Sequence, residues 1–348
     1  MPSETPSFLL RQAGPRDHRQ ILRLARELDS TSLPTDSAEL TDALQRSAKS
    51  FKGKVRERAN AVYIFCAEEI DRRRIVAASM IIAKHGTPRS PHYYFEVNAD
   101  ERYSHTLRRM FRHTFLRLRH SMNGPSELGG LIVSAAMRGH SERIGTQISW
   151  VRFPYIARHR TRFERLILAE MLPPTQPGHA NRFWDHYGRL VTGLSYREAD
   201  RLSIRDKEFI RTLFPDAPIY TLMLPEEIRS SIGEVGENAR GALRILEQAG
   251  MRFLDQIDPF DGGPYYGCAI EDLLPVKSYA AFRAAEGEPS EAEARRYLIA
   301  REDAKGYRAV AAKAEVMSPR IIVSSETLEI LEAKRGDRVD AVPMPSGR

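Results

Sequence analysis

The sequence predicts an α/β protein that contains two mixed units in tandem, followed by a small β-rich C-terminal domain. Short apolar runs bounded by turn residues, typical of buried strands, alternate with segments in which apolar residues recur at helical spacing. This pattern occurs twice before about Pro275, and short strands and turns dominate after it. We therefore place the domains at residues 1–200, 201–274 and 275–348.

A strand, a loop and a helix organise the first unit. Ser126–Val133 is short and apolar, Thr146–Phe163 has helical periodicity, and Leu166–Met171 is a second apolar run. Backbone N–H groups at the start of a helix bind phosphate, so the loop before the helix suits a phosphate-bearing ligand. The alternative is an ordinary strand–helix–strand unit without a ligand. The loop residues that favour a ligand are Arg138, Arg143 and Gly145.

The segments before this stretch predict a helix, a hairpin and a basic helix. Asp17–Asp29 carries an apolar helical face, and the apolar runs Ala61–Ala67 and Ile75–Ala83 predict the two strands of a β-hairpin. Arg102–His120 is the most basic segment, and its apolar residues at helical spacing predict a helix. Its arginines form either a solvated face or a patch that attracts phosphate.

The second half of the chain repeats the mixture of helices and strands. Ala239–Ala249 is predicted to be a helix that ends at Gly250, because glycine commonly follows the last helical turn. Phe253–Ile257 and Tyr265–Ile270 predict two strands. Ala284–Arg296 is charged and rich in small residues, so we expect a linker or a surface helix there.

Composition limits the classes of function. The chain has 348 residues, 42% hydrophobic residues, a net charge of +7 and a pI near 9.4. A basic protein favours anionic ligands such as CoA-type cofactors. No apolar run reaches the length of a membrane span, and no secretory signal is evident, so we expect a cytoplasmic protein. No recognised nucleic-acid-binding motif accompanies the charge, so nucleic acid is not an expected partner.

Two cysteines, Cys66 and Cys268, lie in apolar strands and are expected in the core. They form neither a disulfide framework nor a zinc-binding pattern.

A series of short motifs resembles the arginine N-succinyltransferase family, which includes the arginine/ornithine succinyltransferase subunits. The resemblance extends over nearly the whole chain and is based on the order and spacing of the motifs. The matching segments are Thr31–Pro34, Gly124–Leu128, Arg152-Phe153, Arg162-Phe163, Ala169–Met171, Phe183-Trp184, Lys207, Phe209-Ile210, Pro218–Tyr220, Ile232-Gly233, Val235 and Phe260–Pro264.

The resemblance implies both a fold and a reaction. The family is similar to the Gcn5-related N-acyltransferases in tandem, with a small C-terminal β-barrel. Its members transfer a succinyl group from succinyl-CoA to the α-amine of arginine in arginine catabolism. We therefore expect succinyl-CoA as co-substrate, no metal, and a homo-oligomer or a hetero-oligomer with a homologous subunit.

The resemblance also places the acyl-CoA donor. Leu131 matches a residue that the family assigns to succinyl-CoA binding. The strand at Leu131, Ile132 and Val133 would present backbone N–H groups to the thioester carbonyl, and the loop with Arg138 and Arg143 would hold the pyrophosphate.

Three departures from the family pattern bear on activity. The family's proton-donor His corresponds to Gly236 here, and glycine cannot transfer a proton. The pyrophosphate loop is about two residues longer than in the plain enzymes and lacks a tight Gly-x-Gly. A strand that ends with Arg in relatives reads Tyr93–Val97, where Glu96 would attract a cation, such as that of an arginine substrate.

Several residues are candidates for the missing chemistry. His186 is either a general acid/base or a helix-capping residue, and Tyr220 is either a core residue or a phenol that protonates the thiolate. Glu127 is either a structural anchor or an amine-binding carboxylate. Glu170 ends an apolar run, and a buried carboxylate there needs a partner, which an arginine substrate could be. Asp261 is expected to hold a turn through its own side chain.

We therefore expect arginine N-succinyltransferase activity. The alternatives are an acyl-CoA-dependent N-acyltransferase with another acceptor or acyl group, and a non-catalytic subunit of such an enzyme. If the protein is an enzyme, slow transfer that rises with pH is expected, with a gain when Gly236 is replaced by His.

Overall fold

A computed structural model describes residues 6–28, 33–174 and 182–346 of the chain. Thr31 and Ser32 of the family-like motifs lie outside these residues. The strands are β1 (Phe8–Gln12), β2 (Val62–Glu69), β3 (Arg74–Ile82), β4 (His92–Ser104), β5 (Arg109–Ser121), β6 (Ser126–Val133), β7 (Leu166–Glu170), β8 (Ile219–Tyr220), β9 (Arg252–Ile257), β10 (Pro264–Ala269), β11 (Ala280–Glu286), β12 (Arg295–Asp303), β13 (Gly306–Met317), β14 (Arg320–Val323) and β15 (Arg338–Pro343).

The helices lie mostly between these strands. They are α1 (His18–Glu27), α2 (Ser37–Phe51), α3 (Ile144–Trp150), α4 (Arg152–Arg158), α5 (Arg189–Thr192), α6 (Tyr196–Arg205), α7 (Glu208–Leu213), α8 (Glu226–Arg229), α9 (Arg240–Gln248), α10 (Leu274–Lys277) and α11 (Ser325–Ile330). A π-helical turn, Trp184–Gly188, precedes α5.

One continuous sheet connects the whole molecule. Its strand order is β12-β15-β11-β14-β13-β1-β2-β3-β6-β7-β10-β9-β4-β5-β8, and β12 also pairs with β13. The last pairing closes the five C-terminal strands into a small barrel. The predicted α/β class with a C-terminal β-barrel is confirmed. β4 pairs with β9, so the sheet crosses the proposed boundary between residues 200 and 201, and that division stays a prediction.

Local sequence explains the central elements. β2 and β3 form the predicted hairpin, and both are nearly continuous apolar runs because helices or other strands cover both faces. Asp36 begins α2 by accepting hydrogen bonds from the amides of Ala38 and Glu39 at 2.8 and 3.0 Å. Gly250 follows α9 with φ +92°, as predicted for a glycine after a helix.

The basic segment Arg102–His120 is not a helix, and that prediction was wrong. It forms parts of β4 and β5, two strands of 13 residues each that pair from His92↔Ser121 to Ser104↔Arg109. Much of this ribbon projects from the body, so Leu107 and Met110 are exposed. Because neither face of the exposed ribbon is buried, its sequence lacks the alternation of apolar and polar residues that is typical of a strand. Its apolar residues match helical spacing by chance.

Ala284–Arg296 was also predicted wrongly. The segment contains the end of β11, a turn and the start of β12, which are strands of the barrel. Ala284 is buried in the barrel interior, where small residues fit, and this explains part of a composition that resembled a linker.

None of the helices in the described parts of the chain has both the length and the apolar character needed to cross a membrane. Cys66 and Cys268 are both buried, as predicted.

Candidate functional site

The site begins where two parallel strands separate. β6 and β7 pair only at Ser126↔Ile167 and Glu127↔Leu168, whereas β6 continues to Val133. Beyond Glu127, the edge of β6 that faces β7 is therefore not occupied by a strand. A strand edge of this kind presents backbone N–H and C=O groups to a ligand.

The residues predicted to contact the donor lie along this opened strand. Gly130 has φ +60°, and the pairing of β6 with β3 shifts register beside it, so the strand bulges just before Leu131. Leu131 and Val133 are half-buried against the main core, and Ile132 packs into the core on the opposite face of the sheet. The side chain of Ile132 is thus structural, and any contact with a donor would involve its backbone.

The predicted phosphate loop leads from β6 into α3. Arg143 precedes the helix in the left-handed conformation with φ 57°. Its Nη1 donates to the carbonyl of Pro345 at 3.0 Å, which ties the loop to the C-terminal segment. Arg138 is exposed. A Cβ on Gly145 would lie 3.7 Å from Val133, so the start of α3 closely approaches the end of β6.

Three carboxyl groups meet beyond the end of β7. Oxygen atoms of Glu170, Asp258 and Asp261 all lie within 4.8 Å of one another. We call this group the carboxylate cluster. The turn after β9 positions two of them: the amides of Phe260 and Asp261 donate to Asp258 Oδ1, and the amide of Gly263 donates to Asp261 Oδ1 at 2.7 Å. The last bond confirms the turn-forming role predicted for Asp261.

The three carboxyl groups of the carboxylate cluster disfavour one another's ionisation. Burial and the neighbouring carboxylates raise the pKa of Glu170 and of Asp261 well above the usual range. Lys207 is the cation that faces the cluster, and burial lowers its own pKa. Tyr265 donates from its hydroxyl to Asp258 Oδ2 at 3.1 Å. Such a cluster attracts a cation: either a guanidinium or ammonium group, or a metal ion that accepts oxygen ligands.

Two histidines accompany Glu127, which lies on β6 where the strands separate. Glu127 forms an ion pair with His85, and this pairing holds the pKa of Glu127 below its usual range although burial raises it. His92 stacks against Tyr265 with ring centroids 5.5 Å apart. Burial and the nearby His85 lower the pKa of His92 to about 3, so its imidazole is neutral at physiological pH. A cavity of about 280 Å³ opens beside His92.

Three predicted site residues lie on elements other than β6, β7 and the turn after β9. Tyr220 belongs to β8, five strand positions from β7, which corresponds to roughly 24 Å at 4.8 Å per strand. Glu96 lies on β4 and pairs with Arg119 at 3.3 Å. His186 lies in the π-helical turn, where its Nδ1 is 2.9 Å from the carbonyl oxygen of Arg182.

Gly236 lies next to the end of β7. Its amide donates to the carbonyl of Leu172 at 2.8 Å. A Cβ at this position would lie 2.6 Å from the carbonyl oxygen of Pro173. The backbone therefore leaves no space for a side chain, and the expected gain from replacing Gly236 with His does not fit this structure.

Comparison with known proteins identifies the family. A family model described as arginine N-succinyltransferase beta subunit matches residues 8–274, and a model of its C-terminal domain matches residues 281–343. The chain belongs to the arginine N-succinyltransferase beta subunit family.

Individual members of this family resemble the chain along almost its full length. Arginine N-succinyltransferase of Citrobacter koseri is 29% identical over 338 residues, covering 96% of this chain and 97% of the relative. The enzyme of that name from Escherichia coli strain 55989 is 29% identical over 313 residues, covering 90% of both. The solved structure of arginine/ornithine succinyltransferase subunit AI from Pseudomonas aeruginosa has a TM-score of 0.82 and 26% identity, and the match covers 98% of this chain and 100% of that chain.

Membership of the arginine N-succinyltransferase family makes the protein an acyl-CoA-dependent transferase by class. The structure also shows which residues near the site the sequence patterns missed. Asp258, Lys207, His85 and His92 were not identified as candidates, although Lys207 had been noted as a family match. An Asp in the turn Asp258–Gly263 was interpreted only as a turn former, and the four residues are separated by up to 173 positions in the chain.

Proposed function

We propose that the protein transfers the succinyl group of succinyl-CoA to the α-amine of arginine. The observation that supports this proposal best is the position of the carboxylate cluster directly beyond the separated strands β6 and β7. An acyl donor bound along β6 would thus meet a cationic acceptor held by carboxylates. Acyl transfer requires this arrangement of a thioester beside an amine.

The donor would bind along the open edge of β6. Its phosphates would lie at the start of α3, near Arg138 and Arg143, where the first helical amides have no acceptor within the helix. Its pantetheine arm would extend past Val133 towards Leu131. The amide at the bulge would then donate to the thioester carbonyl and stabilise the charge that develops there.

The acceptor would place its guanidinium among Glu170, Asp258 and Asp261. Ionised carboxylates bind guanidinium through short, charge-assisted and often bidentate hydrogen bonds. The raised pKa values of Glu170 and Asp261 mean that these groups resist ionisation in the empty site. A bound guanidinium would lower both values, so arginine binding would release protons.

The reaction needs no redox change and no metal. The neutral amine nitrogen attacks the thioester carbon, a C–N bond forms, and the C–S bond breaks to release CoA as a thiolate. The proton lost by the amine would pass to Glu127, whose lowered pKa keeps it ionised, and Glu127 would release that proton to solvent. The CoA thiolate would take a proton from solvent, so the proton count balances and Glu127 is regenerated. A thiolate with a pKa near 8.5 leaves without an acid, so Gly236 does not prevent turnover.

Gly236 favours one second candidate, a non-catalytic subunit that associates with an active homologue. The exposed ribbon of β4 and β5 would suit such an association, because Tyr103, Leu107 and Met110 are more than half exposed there. In either case we place the protein in the cytoplasm as an oligomer, whether with itself or with a homologue.

The test is a thiol-release assay. Purified protein is incubated with succinyl-CoA and arginine, and free CoA is followed at several pH values. We expect release that depends on arginine and rises towards pH 8, because the α-amine has a reference pKa of about 7.7–8.0. Binding of CoA without any thiol release would refute the catalytic proposal and favour the subunit. Thiol release with another amine but not with arginine would show that the acceptor is that amine and not arginine.

A further inference from the structure

Arg152 is a buried cation without a carboxylate partner in the described parts of the chain. Only 1% of its surface is exposed. Its Nε donates to the carbonyl of Ser149 at 3.0 Å, its Nη2 to the hydroxyl of Ser149 at 2.6 Å, and its Nη1 to the carbonyl of Gly129 at 3.4 Å. All three acceptors are neutral.

A charge in this environment is costly. Burial of a guanidinium without an anion is unfavourable, and burial alone lowers the pKa of Arg152 to about 9. A guanidinium carries five N–H donors, so the three hydrogen bonds leave two donors for another acceptor. A guanidinium suits a buried pairing with a carboxylate, because its planar fork matches both carboxylate oxygens.

The position of Arg152 relates it to the donor. Nη1 contacts Gly129, which lies on β6 beyond the point where β7 leaves. If the phosphates bind at the start of α3 and the thioester at Leu131, the acyl chain extends along β6 towards Gly129. These two residues are separated by roughly 6.6 Å of strand, comparable with the length of a four-carbon acyl chain.

We propose that Arg152 binds the distal carboxylate of the acyl group and thereby selects dicarboxylic acyl donors over monocarboxylic ones. This inference rests on the proposed acyl transfer and adds a specificity-determining residue to it. The carboxylate would supply the missing anion and accept the two spare N–H groups. A donor without that carboxylate would leave the buried guanidinium without a counter-ion.

A purely structural role must be distinguished from this one. The bond to Gly129 also satisfies a backbone carbonyl of β6, so replacing Arg152 would disturb β6 for every donor if its role were structural. Such a disturbance would lower activity with all acyl groups. Loss of a carboxylate contact would lower activity only with donors that carry the carboxylate.

The experiment compares succinyl-CoA with butyryl-CoA, which has the same carbon chain without the carboxylate. We expect wild type to prefer succinyl-CoA in kcat/KM, and Arg152→Met to reduce that preference by about 10- to 100-fold. Arg152→Lys should keep part of the preference, because it keeps the charge but loses the planar fork. Arg160→Met, an exposed arginine just after α4, is the matched control and should keep the whole preference.

Each outcome decides the inference. An unchanged preference in folded Arg152→Met, with both donors slowed equally, overturns the role of Arg152 but not the acyl transfer. No turnover of either donor by wild type refutes the proposed function itself. If neither Arg152 variant folds, the structure of wild type with a non-hydrolysable succinyl-CoA analogue decides: a carboxylate at hydrogen-bond distance from Arg152 supports the inference, and one elsewhere refutes it.

Discussion

Replacing Glu170 with Gln should change stability and arginine binding in opposite senses. The side chain lies within 4.8 Å of two other carboxyl groups. At this distance two unit charges repel by about 0.9 kcal/mol in water and by about 3.5 kcal/mol at an effective dielectric constant of 20. Solvent reaches the Glu170 side chain, although the protein atoms around its carboxylate partly desolvate it. We therefore take the lower figure, and expect Glu170→Gln to raise the free energy of unfolding by about 1 kcal/mol near pH 8.

The same change should weaken arginine binding. Loss of a charge-assisted hydrogen bond to guanidinium costs roughly 1.5–3 kcal/mol, which corresponds to an increase in KM for arginine of about tenfold or more. Denaturant unfolding and steady-state kinetics measure the two effects separately. Glu288→Gln, on an exposed turn of the barrel, is the control and should change neither.

The pH dependence of the free energy of unfolding provides a second test of the role of Glu170. The folded state holds its proton to higher pH than the unfolded chain, because the pKa of Glu170 is raised on folding. Stability of the unliganded protein should therefore fall as pH rises above about 4, and Glu170→Gln should reduce that fall. A variant that is less stable than wild type, or that binds arginine equally well, would refute the assignment of Glu170 to a cation site.

Three other variants or conditions test the remaining parts of the site. The double variant Arg138→Ala, Arg143→Ala should bind CoA more weakly in calorimetry. Unchanged CoA affinity at low salt would show that the loop between β6 and α3 does not bind the phosphates. Gly236→His should cost about 1–3 kcal/mol of stability through contact with the Pro173 carbonyl and should not raise the rate, whereas Gly241→His, which has open space, should fold normally. EDTA should leave thiol release unchanged, and a loss restored by a divalent cation would make the carboxylate cluster a metal site.

Local patterns in the sequence were sufficient for the strand–loop–helix unit around β6. The apolar run Ser126–Val133 and the helical stripe after Arg143 lie in contiguous sequence, so periodicity and turn residues identify them. The same rules failed at Arg102–His120, because a projecting two-stranded ribbon buries too few residues to impose its own period. They also failed at Ala284, where a barrel interior selects small residues.

The carboxylate cluster could be predicted only in part. Glu170 was identified because a carboxylate in an apolar run needs a partner. Its neighbours Asp258 and Lys207 come from other elements, and β10 and β9 bring Asp258 beside β7 only through pairings far apart in sequence. Gly236 was recognised as a missing side chain from the resemblance, but the crowding around it depends on the path of residues 172–173 and has no local sequence pattern.

An experimental structure of the protein with CoA and arginine bound together tests the proposed succinyl transfer directly. We expect pantetheine along the open edge of β6 between Leu131 and Val133, phosphates at the start of α3, and the arginine guanidinium hydrogen-bonded to Glu170, Asp258 or Asp261. The α-amine should lie on the side of Glu127. CoA bound away from β6, or arginine with its guanidinium outside the carboxylate cluster, would refute the proposed arrangement of donor and acceptor.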